Sequence, residues 1–243
     1  MKLDILAIGV HPDDVELGCS GTLINEIKRG KKAGILDLTQ GELGTRGTID
    51  TRYEEAATAA KIIGVSVREN LKMRDGFFRD DEENQLKLIS AIRKYQPDIV
   101  FANVLHDRHP DHGRAGNMIS HCCFLSGLAK ISTKDNNGKE LERWRPSYVL
   151  HYIQDWYHEP DLLIDITDSF DQRMESIRAY STQFHNTKTE GPQTYISTPD
   201  FLESIIARAR MFGKRIGVKY AEGFISEKKI GIRDLDSLIQ VET

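Results

Sequence analysis

Short apolar segments alternate with segments of helical periodicity along the first half of the chain, and this alternation constrains the fold more than any other feature. Leu3 to Val10 is an apolar run typical of a buried strand, and Leu17 to Arg29 then has helical spacing up to Gly30. A second strand at Ala33 to Leu38 and a second helix at Thr51 to Ile63 follow. The order predicts an α/β fold.

The alternation continues with a helix at Asn84 to Tyr95 and a strand at Ile99 to Val104. Strands and helices in this order predict a Rossmann-like, mostly parallel sheet with helices on both faces. Right-handed crossovers place the carboxyl ends of such strands along one edge, where ligands bind. We therefore expect functional residues in the loops that follow the strands.

The second half of the chain is less regular, but it contains no internal repeat and no low-complexity linker. A chain of 243 residues fits one large α/β domain, so we expect residues 1–243 to form a single domain. The predicted strands and helices of this half lie at Ser147 to Ile153, Leu162 to Ile166, Thr167 to Tyr180 and from Pro199 onward.

Composition limits the class of function. A formal net charge of -4 and a pI of about 6.1 argue against a general nucleic-acid binder. The apolar run at the N-terminus is short and is interrupted by Asp4, so we expect neither a signal peptide nor a membrane span. The three cysteines are odd in number, and Cys122 and Cys123 are adjacent. They argue against a disulfide framework and favour a reducing cytoplasm.

Two similar clusters of acids and imidazoles each follow a predicted buried strand. The first reads His-Pro-Asp-Asp over His11 to Asp14, and the second reads His-Pro-Asp-His over His109 to His112. A catalytic zinc takes three histidine or carboxylate ligands and keeps one position open for water. Clusters that meet at one sheet edge can supply this set. The candidate metal ligands are His11, Asp14 and His112.

The remaining groups of the clusters suit amide hydrolysis. Asp13 could accept a proton from the attacking water, and a protonated His109 could stabilise the oxyanion. Either group could then protonate the leaving amine. One such cluster alone is a common turn sequence, but two of them after buried strands are harder to explain as turns. Iron(II) could occupy the same ligands as zinc.

The segment His11 to Cys19 after an N-terminal strand, with His109 to His112 later, resembles the PIG-L/LmbE-like deacetylases. The resemblance is strong over about the first half of the chain. It implies a Rossmann-like fold, a zinc ion and hydrolysis of an N-acetylated glucosamine conjugate, and it is compatible with a homo-oligomer. By position it implies the metal ligands His11, Asp14 and His112, the base Asp13 and a second electrostatic group at His109.

The segment Asp37 to Thr48 resembles the subgroup that deacetylates N-acetylglucosaminyl malate in bacillithiol biosynthesis. Its glycines, Gly41, Gly44 and Gly47, do not follow the G-x-G-x-x-G dinucleotide pattern. Flexible glycines beside Arg46 suit a loop that closes over a polar ligand, although an ordinary surface loop has the same composition.

Three arginines are candidates for binding the malyl carboxylates, namely Arg46, Arg52 and Arg108, and Arg52, which follows the glycine-containing segment, is the preferred one. The guanidinium fork suits bidentate binding of a carboxylate, but each could instead be a solvated side chain or an ion-pair partner. The family resemblance also suggests a mobile tyrosine near the substrate. Tyr195, in the turn-rich segment that begins at Gly191, fits this position, although a tyrosine there could equally serve packing.

The sequence therefore predicts a zinc-dependent enzyme that deacetylates an amino-sugar conjugate, with N-acetylglucosaminyl malate preferred and no nucleic-acid or membrane partner. One alternative is a deacetylase of other N-acetylated sugars. Others are a metal-dependent phosphoesterase and a Rossmann-like binding module with a structural metal. Two-metal phosphoesterases usually need more ligands than these clusters provide, and a structural zinc normally has four protein ligands.

Overall fold

The structure is a computed structural model that describes residues 1–135, 137–184 and 191–238. Its strands are β1 (Ile5–Gly9), β2 (Ala33–Thr39), β3 (Val67–Met73), β4 (Ile99–Asn103), β5 (Tyr148–Tyr152), β6 (Leu162–Asp165) and β7 (Ala221–Ser226). Its α-helices are α1 (Asp14–Lys28), α2 (Ile49–Ile63), α3 (Glu82–Tyr95), α4 (Pro110–Leu125), α5 (Phe170–Arg178) and α6 (Pro199–Arg215).

The strands form one sheet in the order β3-β2-β1-β4-β5-β7-β6. The pairs from β3 to β5 are parallel, and β7 is antiparallel to both β5 and β6. This is the mostly parallel, Rossmann-like sheet predicted from the sequence. Because β2 and β4 flank β1, the connections after β1 and β4 leave the sheet in opposite directions and open a crevice at its carboxyl edge.

Helices cover both faces of the sheet, as predicted. Alternate residues of β1 pack into different cores: Leu6 and Ile8 join the core beneath α3 and α4, whereas Ile5 and Ala7 join the core beneath α1. Helices α1, α2 and α5 pack against one another, and α6 packs on β7. Burial on both faces explains why β1 is an uninterrupted apolar run.

Several element boundaries differ from the sequence prediction. Helix α1 begins at Asp14 rather than Leu17, because Asp14 and Glu16 in its first turn are buried although they are charged. The helix predicted from Thr167 to Tyr180 is a 3-10 turn over Thr167–Ser169 followed by the shorter α5. Strands β3 and β7 were not predicted.

All three cysteines are buried and free, in agreement with the absence of a disulfide framework. Within the described ranges, no helix combines the length and the apolar character that crossing a bilayer requires.

Candidate active site

The loop between β1 and α1 holds the first cluster in a tight turn. Asp13 precedes the helix with a φ of 139°, a region that non-glycine residues seldom occupy and that aspartate tolerates better than most. The Asp14 carboxylate folds back over the loop, and its Oδ2 accepts hydrogen bonds from the backbone N–H groups of Val10 at 2.9 Å and His11 at 3.1 Å. The turn therefore fixes the direction of both aspartates.

Asp14 is the centre of the site. Its carboxylate also accepts hydrogen bonds from Asn103 Nδ2 at 3.1 Å and Gln154 Nε2 at 2.7 Å. His112 Nε2 lies 3.2 Å from Asp14 Oδ1, and His11 Nδ1 lies 3.8 Å from Oδ2. Burial alone would raise the pKa of Asp14, but the two imidazoles hold it well below its usual range. Asp14 is therefore an ionised carboxylate between two histidines.

His112 lies in the first turn of α4, and the other side of its ring is held by Asp107. The distance from His112 Nδ1 to Asp107 Oδ2 is 2.7 Å, and Asp107 Oδ1 accepts a hydrogen bond from Trp156 N at 2.8 Å. A proton on Nδ1 that is donated to Asp107 leaves Nε2, the nitrogen that faces Asp14, as the metal-binding atom.

His11 has an equivalent arrangement with its nitrogens reversed. His11 Nε2 lies 3.0 Å from Asp75 Oδ1, while Nδ1 faces Asp14. Asp75 Oδ2 in turn accepts a hydrogen bond from Leu43 N in the glycine loop, at 3.0 Å. Each histidine thus has one nitrogen near Asp14 and the other on a carboxylate, which is the usual support of metal-binding histidines.

The donor set fits a metal ion. One nitrogen each of His11, His109 and His112 lies within 4.8 Å of the others, but Nδ1 of His109 already accepts a hydrogen bond from Asp111 N. Burial lowers the pKa of His11 and His112, but the neighbouring carboxylates more than offset this and raise it to about 10 and about 9. Both imidazoles must release a proton before they can bind a metal.

Asp13 is the other acid of the first cluster, and it is buried with 5% of its surface exposed. Its Oδ2 lies 3.6 Å from Arg52 Nη2, which donates a hydrogen bond to the carbonyl of Pro12 at 2.8 Å. Burial raises the pKa of Asp13 to about 7, although Arg52 opposes the shift. A carboxylate with a pKa near neutrality can both accept and return a proton at physiological pH.

His109 caps the N-terminus of α4, and its Nδ1 accepts a hydrogen bond from Asp111 N at 3.3 Å. Burial, with the charges of His11 and His112, lowers the pKa of His109 to about 4. A neutral imidazole that accepts at Nδ1 carries its proton on Nε2. His109 is therefore a neutral imidazole in this arrangement, whereas the sequence suggested a protonated one for stabilising an oxyanion.

A cavity of about 250 Å³ joins these groups. Both clusters line it, together with the glycine loop at Gly41 and Gly44 and three residues of the second half of the chain, Gln154, Gln183 and Ile196. A larger groove of about 760 Å³ is lined by Met1 and Lys94, among others, but by no residue of either cluster. The smaller cavity is the candidate active site because the two clusters, with their shifted pKa values, line it.

Of the four residues predicted to bind substrate, two line the cavity and two do not. Arg52 and Arg108 line the cavity, whereas Arg46 and Tyr195 are not among its lining residues. Arg46 donates hydrogen bonds to the carbonyls of Thr182 at 2.6 Å and Pro192 at 3.1 Å, so it ties the glycine loop to the segments on either side of residues 185–190. Tyr195 is 55% exposed, and the Arg108 guanidinium lies over its ring.

Sequence reasoning missed the residues that support the metal ligands. Asp107 stands five positions before His112, close enough to have been considered a partner. Asp75 follows β3, a strand that was not predicted, so its place at the carboxyl edge could not be inferred. Gln154 follows a predicted strand, but a single amide without a motif carries no signal.

The fold and the cavity define a Rossmann-like protein with a candidate metal centre at the switch point of its sheet. Residues 6–123 match the PIG-L family, GlcNAc-PI de-N-acetylase. These residues carry the domain of this family, as the two clusters predicted.

Relatives and solved structures agree with this assignment. The chain is 27% identical over 230 residues to diacetylchitobiose deacetylase from Thermococcus kodakarensis, with 90% of this chain and 81% of the relative covered. It is 26% identical over 208 residues to a probable N-acetyl-alpha-D-glucosaminyl L-malate deacetylase 2 from Bacillus subtilis, with 79% and 86% covered. The crystal structure of a conserved protein from Thermus thermophilus matches with a TM-score of 0.84 and 36% identity over 95% of this chain and 97% of that one. The predicted fold is confirmed.

Proposed function

We propose that this protein is a metal-dependent deacetylase that hydrolyses the N-acetyl amide of a glucosamine conjugate, with N-acetylglucosaminyl malate as its substrate. The observation that carries the proposal is the convergence of His11, Asp14 and His112 in one cavity with Asp13, a buried carboxyl of pKa about 7. The names of the relatives from Thermococcus kodakarensis and Bacillus subtilis are those of deacetylases of acetylated amino sugars. A cytoplasmic location for the bacillithiol pathway agrees with three free cysteines.

We assign the metal ligands to His11, Asp14 and His112. Two imidazoles and one carboxylate form a common catalytic zinc set, and Fe²⁺ accepts the same donors. When bound, the ion supplies positive charge that acidifies water and polarises the acetyl carbonyl.

The remaining groups move protons and stabilise charge. Asp13 accepts the proton of the attacking water, and its buried position keeps it basic enough for this role near neutral pH. The Nε2–H of neutral His109 donates a hydrogen bond to the acetyl oxygen as negative charge develops there. Asp13 then holds a proton that it can return to the leaving amine, and it suits this step better than His109, whose pKa is about 4.

The two cavity arginines have separate roles in the proposal. Arg52 is buried beside Asp13, where the sugar and its acetamide must lie for hydrolysis. The side chain of Arg108 lines the cavity and is 36% exposed, so the part of the conjugate that extends out of the site would pass it. We therefore assign the malyl carboxylates to Arg108 and the sugar to Arg52, with Arg46 and Tyr195 bordering the substrate.

The test is acetate release from N-acetylglucosaminyl malate and from N-acetylglucosamine by the zinc-loaded protein. Arg108→Ala removes the charge-assisted hydrogen bonds to a carboxylate, so we expect roughly a tenfold to hundredfold loss of kcat/KM on the malate conjugate. Activity on N-acetylglucosamine should change little. Arg52→Ala should reduce activity on both substrates alike.

Arg145→Ala is the matched control, because Arg145 also lies over an aromatic ring, that of Phe124, but does not line the cavity. Release of acetate from neither substrate would contradict the deacetylase function. Equal losses on the two substrates in Arg108→Ala would contradict the malate assignment alone.

A further inference from the structure

Asp155 follows β5 and joins two side chains at the mouth of the cavity. Its Oδ2 accepts a hydrogen bond from Arg108 Nε at 2.5 Å, and its Oδ1 accepts one from the Tyr195 hydroxyl at 3.0 Å. The Arg108 guanidinium also lies 4.1 Å from the centroid of the Tyr195 ring. Each of the three groups therefore contacts the other two.

The backbone on both sides of Asp155 is fixed by the site itself. The preceding residue, Gln154, donates to Asp14, and the following residue, Trp156, donates its backbone N–H to Asp107. The carbonyl of Asp155 accepts a hydrogen bond from Arg208 Nη1 in α6 at 3.4 Å. The Asp155 carboxylate thus lies between a residue that binds the candidate ligand Asp14 and a residue that binds Asp107, the partner of His112.

The contact with Asp155 uses only one of the nitrogens of Arg108. In residues 1–135, 137–184 and 191–238, Arg108 Nη1 and Nη2 donate to no protein atom, and they remain available for a ligand. An arginine on an exposed loop loses side-chain freedom when it binds, whereas one already oriented avoids most of that cost. The contact with the Tyr195 ring and the hydrogen bond at Nε together restrict the orientation of the guanidinium.

We infer that Asp155 is a positioning residue that orients Arg108 and holds Tyr195 beside it. In this orientation the guanidinium of Arg108 binds the part of the substrate that extends out of the cavity. The expected effect on kcat/KM rests on the proposed function. The placement of Arg108 and Tyr195 by Asp155 rests only on the contacts among these three residues.

The experiment compares Asp155→Ala, Arg108→Ala and the double variant in steady-state kinetics on N-acetylglucosaminyl malate. Loss of a charge-assisted hydrogen bond predicts that Asp155→Ala lowers kcat/KM roughly tenfold, chiefly through KM. Metal content and Tm should match wild type. The double variant should lose little more than Arg108→Ala alone, because Asp155 acts through Arg108.

Glu159→Ala is the matched control. Glu159 accepts a hydrogen bond from the Tyr157 hydroxyl and pairs with Arg215, so it has the same three kinds of group, but Arg215 does not line the cavity, whereas Arg108 does. This variant should retain wild-type kcat/KM. A crystal structure of Asp155→Ala should show Arg108 displaced from the Tyr195 ring.

Single-variant losses that multiply in the double variant would overturn the inference, as would an Arg108 that keeps its place over Tyr195 in the Asp155→Ala crystal. If wild type releases no acetate from any amino sugar, the proposed function fails. The crystal structure of the variant then still decides whether Asp155 positions Arg108.

Discussion

At the scale of single residues, Asp13 combines properties that an ordinary surface aspartate lacks. It is buried, its φ is 139°, and its carboxylate faces Arg52 rather than water. Backbone conformations of this kind persist only where the surroundings enforce them, and they concentrate at functional sites. The turn is held by the hydrogen bonds that Asp14 accepts from Val10 and His11.

Asp13→Asn should therefore fold, bind metal and lose turnover. Asparagine tolerates positive φ nearly as well as aspartate, but its amide cannot accept the proton of the attacking water. General-base catalysis is worth roughly 10²–10⁴-fold in kcat. The measurement is kcat together with metal content, and Asp14→Asn, which should lose metal, is the comparison. A near-normal kcat in Asp13→Asn would show that Asp13 serves the turn alone.

At the scale of elements, the apolar strands were predictable and the polar ones were not. Strands β1, β2 and β4 are apolar runs buried on both faces. Strand β3 reads VRENLKM, and its polar residues make contacts that no local pattern encodes. Its Arg68 binds Asp37 on β2 and Glu16 on α1, so its place depends on residues distant in sequence.

Some residues of the candidate site were likewise predictable from the sequence, and others were not. The two clusters were visible because each is four adjacent residues after an apolar strand. Asp75, Gln154 and Asp155 were not, because they lie in two other loops, after β3 and after β5, without a motif, and they acquire their roles only when the strands assemble.

Arg68→Met tests how much β3 depends on its buried ion pairs. Arg68 donates to both oxygens of Asp37, at 2.7 and 2.9 Å, and to Glu16 at 2.6 Å. Its removal leaves two buried carboxylates unpaired, so the free energy of unfolding should fall by about 3–5 kcal/mol. Urea denaturation measures it. Arg29→Met, which breaks an exposed pair with Glu26, should cost about 0–1 kcal/mol. If Arg68→Met also lowers the free energy of unfolding by only about 0–1 kcal/mol, the buried ion pairs of Arg68 do not hold β3 in place.

At the scale of the whole molecule, the proposed metal connects segments that are remote in sequence. Two proposed ligands come from the β1–α1 connection and one from the start of α4, and their supporting groups come from the loops after β3, β4 and β5. These groups converge only in the native state. The metal should therefore bind the folded chain and stabilise it.

Removal of the metal should lower both activity and Tm. At a free zinc concentration about a hundredfold above Kd, binding stabilises the native state by about 2.7 kcal/mol. This corresponds to roughly 5–10 °C in Tm for a domain of this size. Thermal unfolding with chelator and with restored zinc measures the shift. In His11→Ala the Tm should not respond to zinc, and an equal response in both proteins would place the metal elsewhere.

The antiparallel strand β7 has a consequence for how the chain is made. Among the described residues β7 is the only strand that pairs with β6, and β5 has β7 as its outer neighbour. A ribosome delivers β5 and β6 well before β7, so the nascent protein exposes two open strand edges until β7 emerges. Insertion of β7 between them then joins β6 to the rest of the sheet, and it also completes the support of the loop that carries Gln154 and Asp155. The candidate site is thus completed only after β7 is made, although both of its acid and imidazole clusters are translated much earlier.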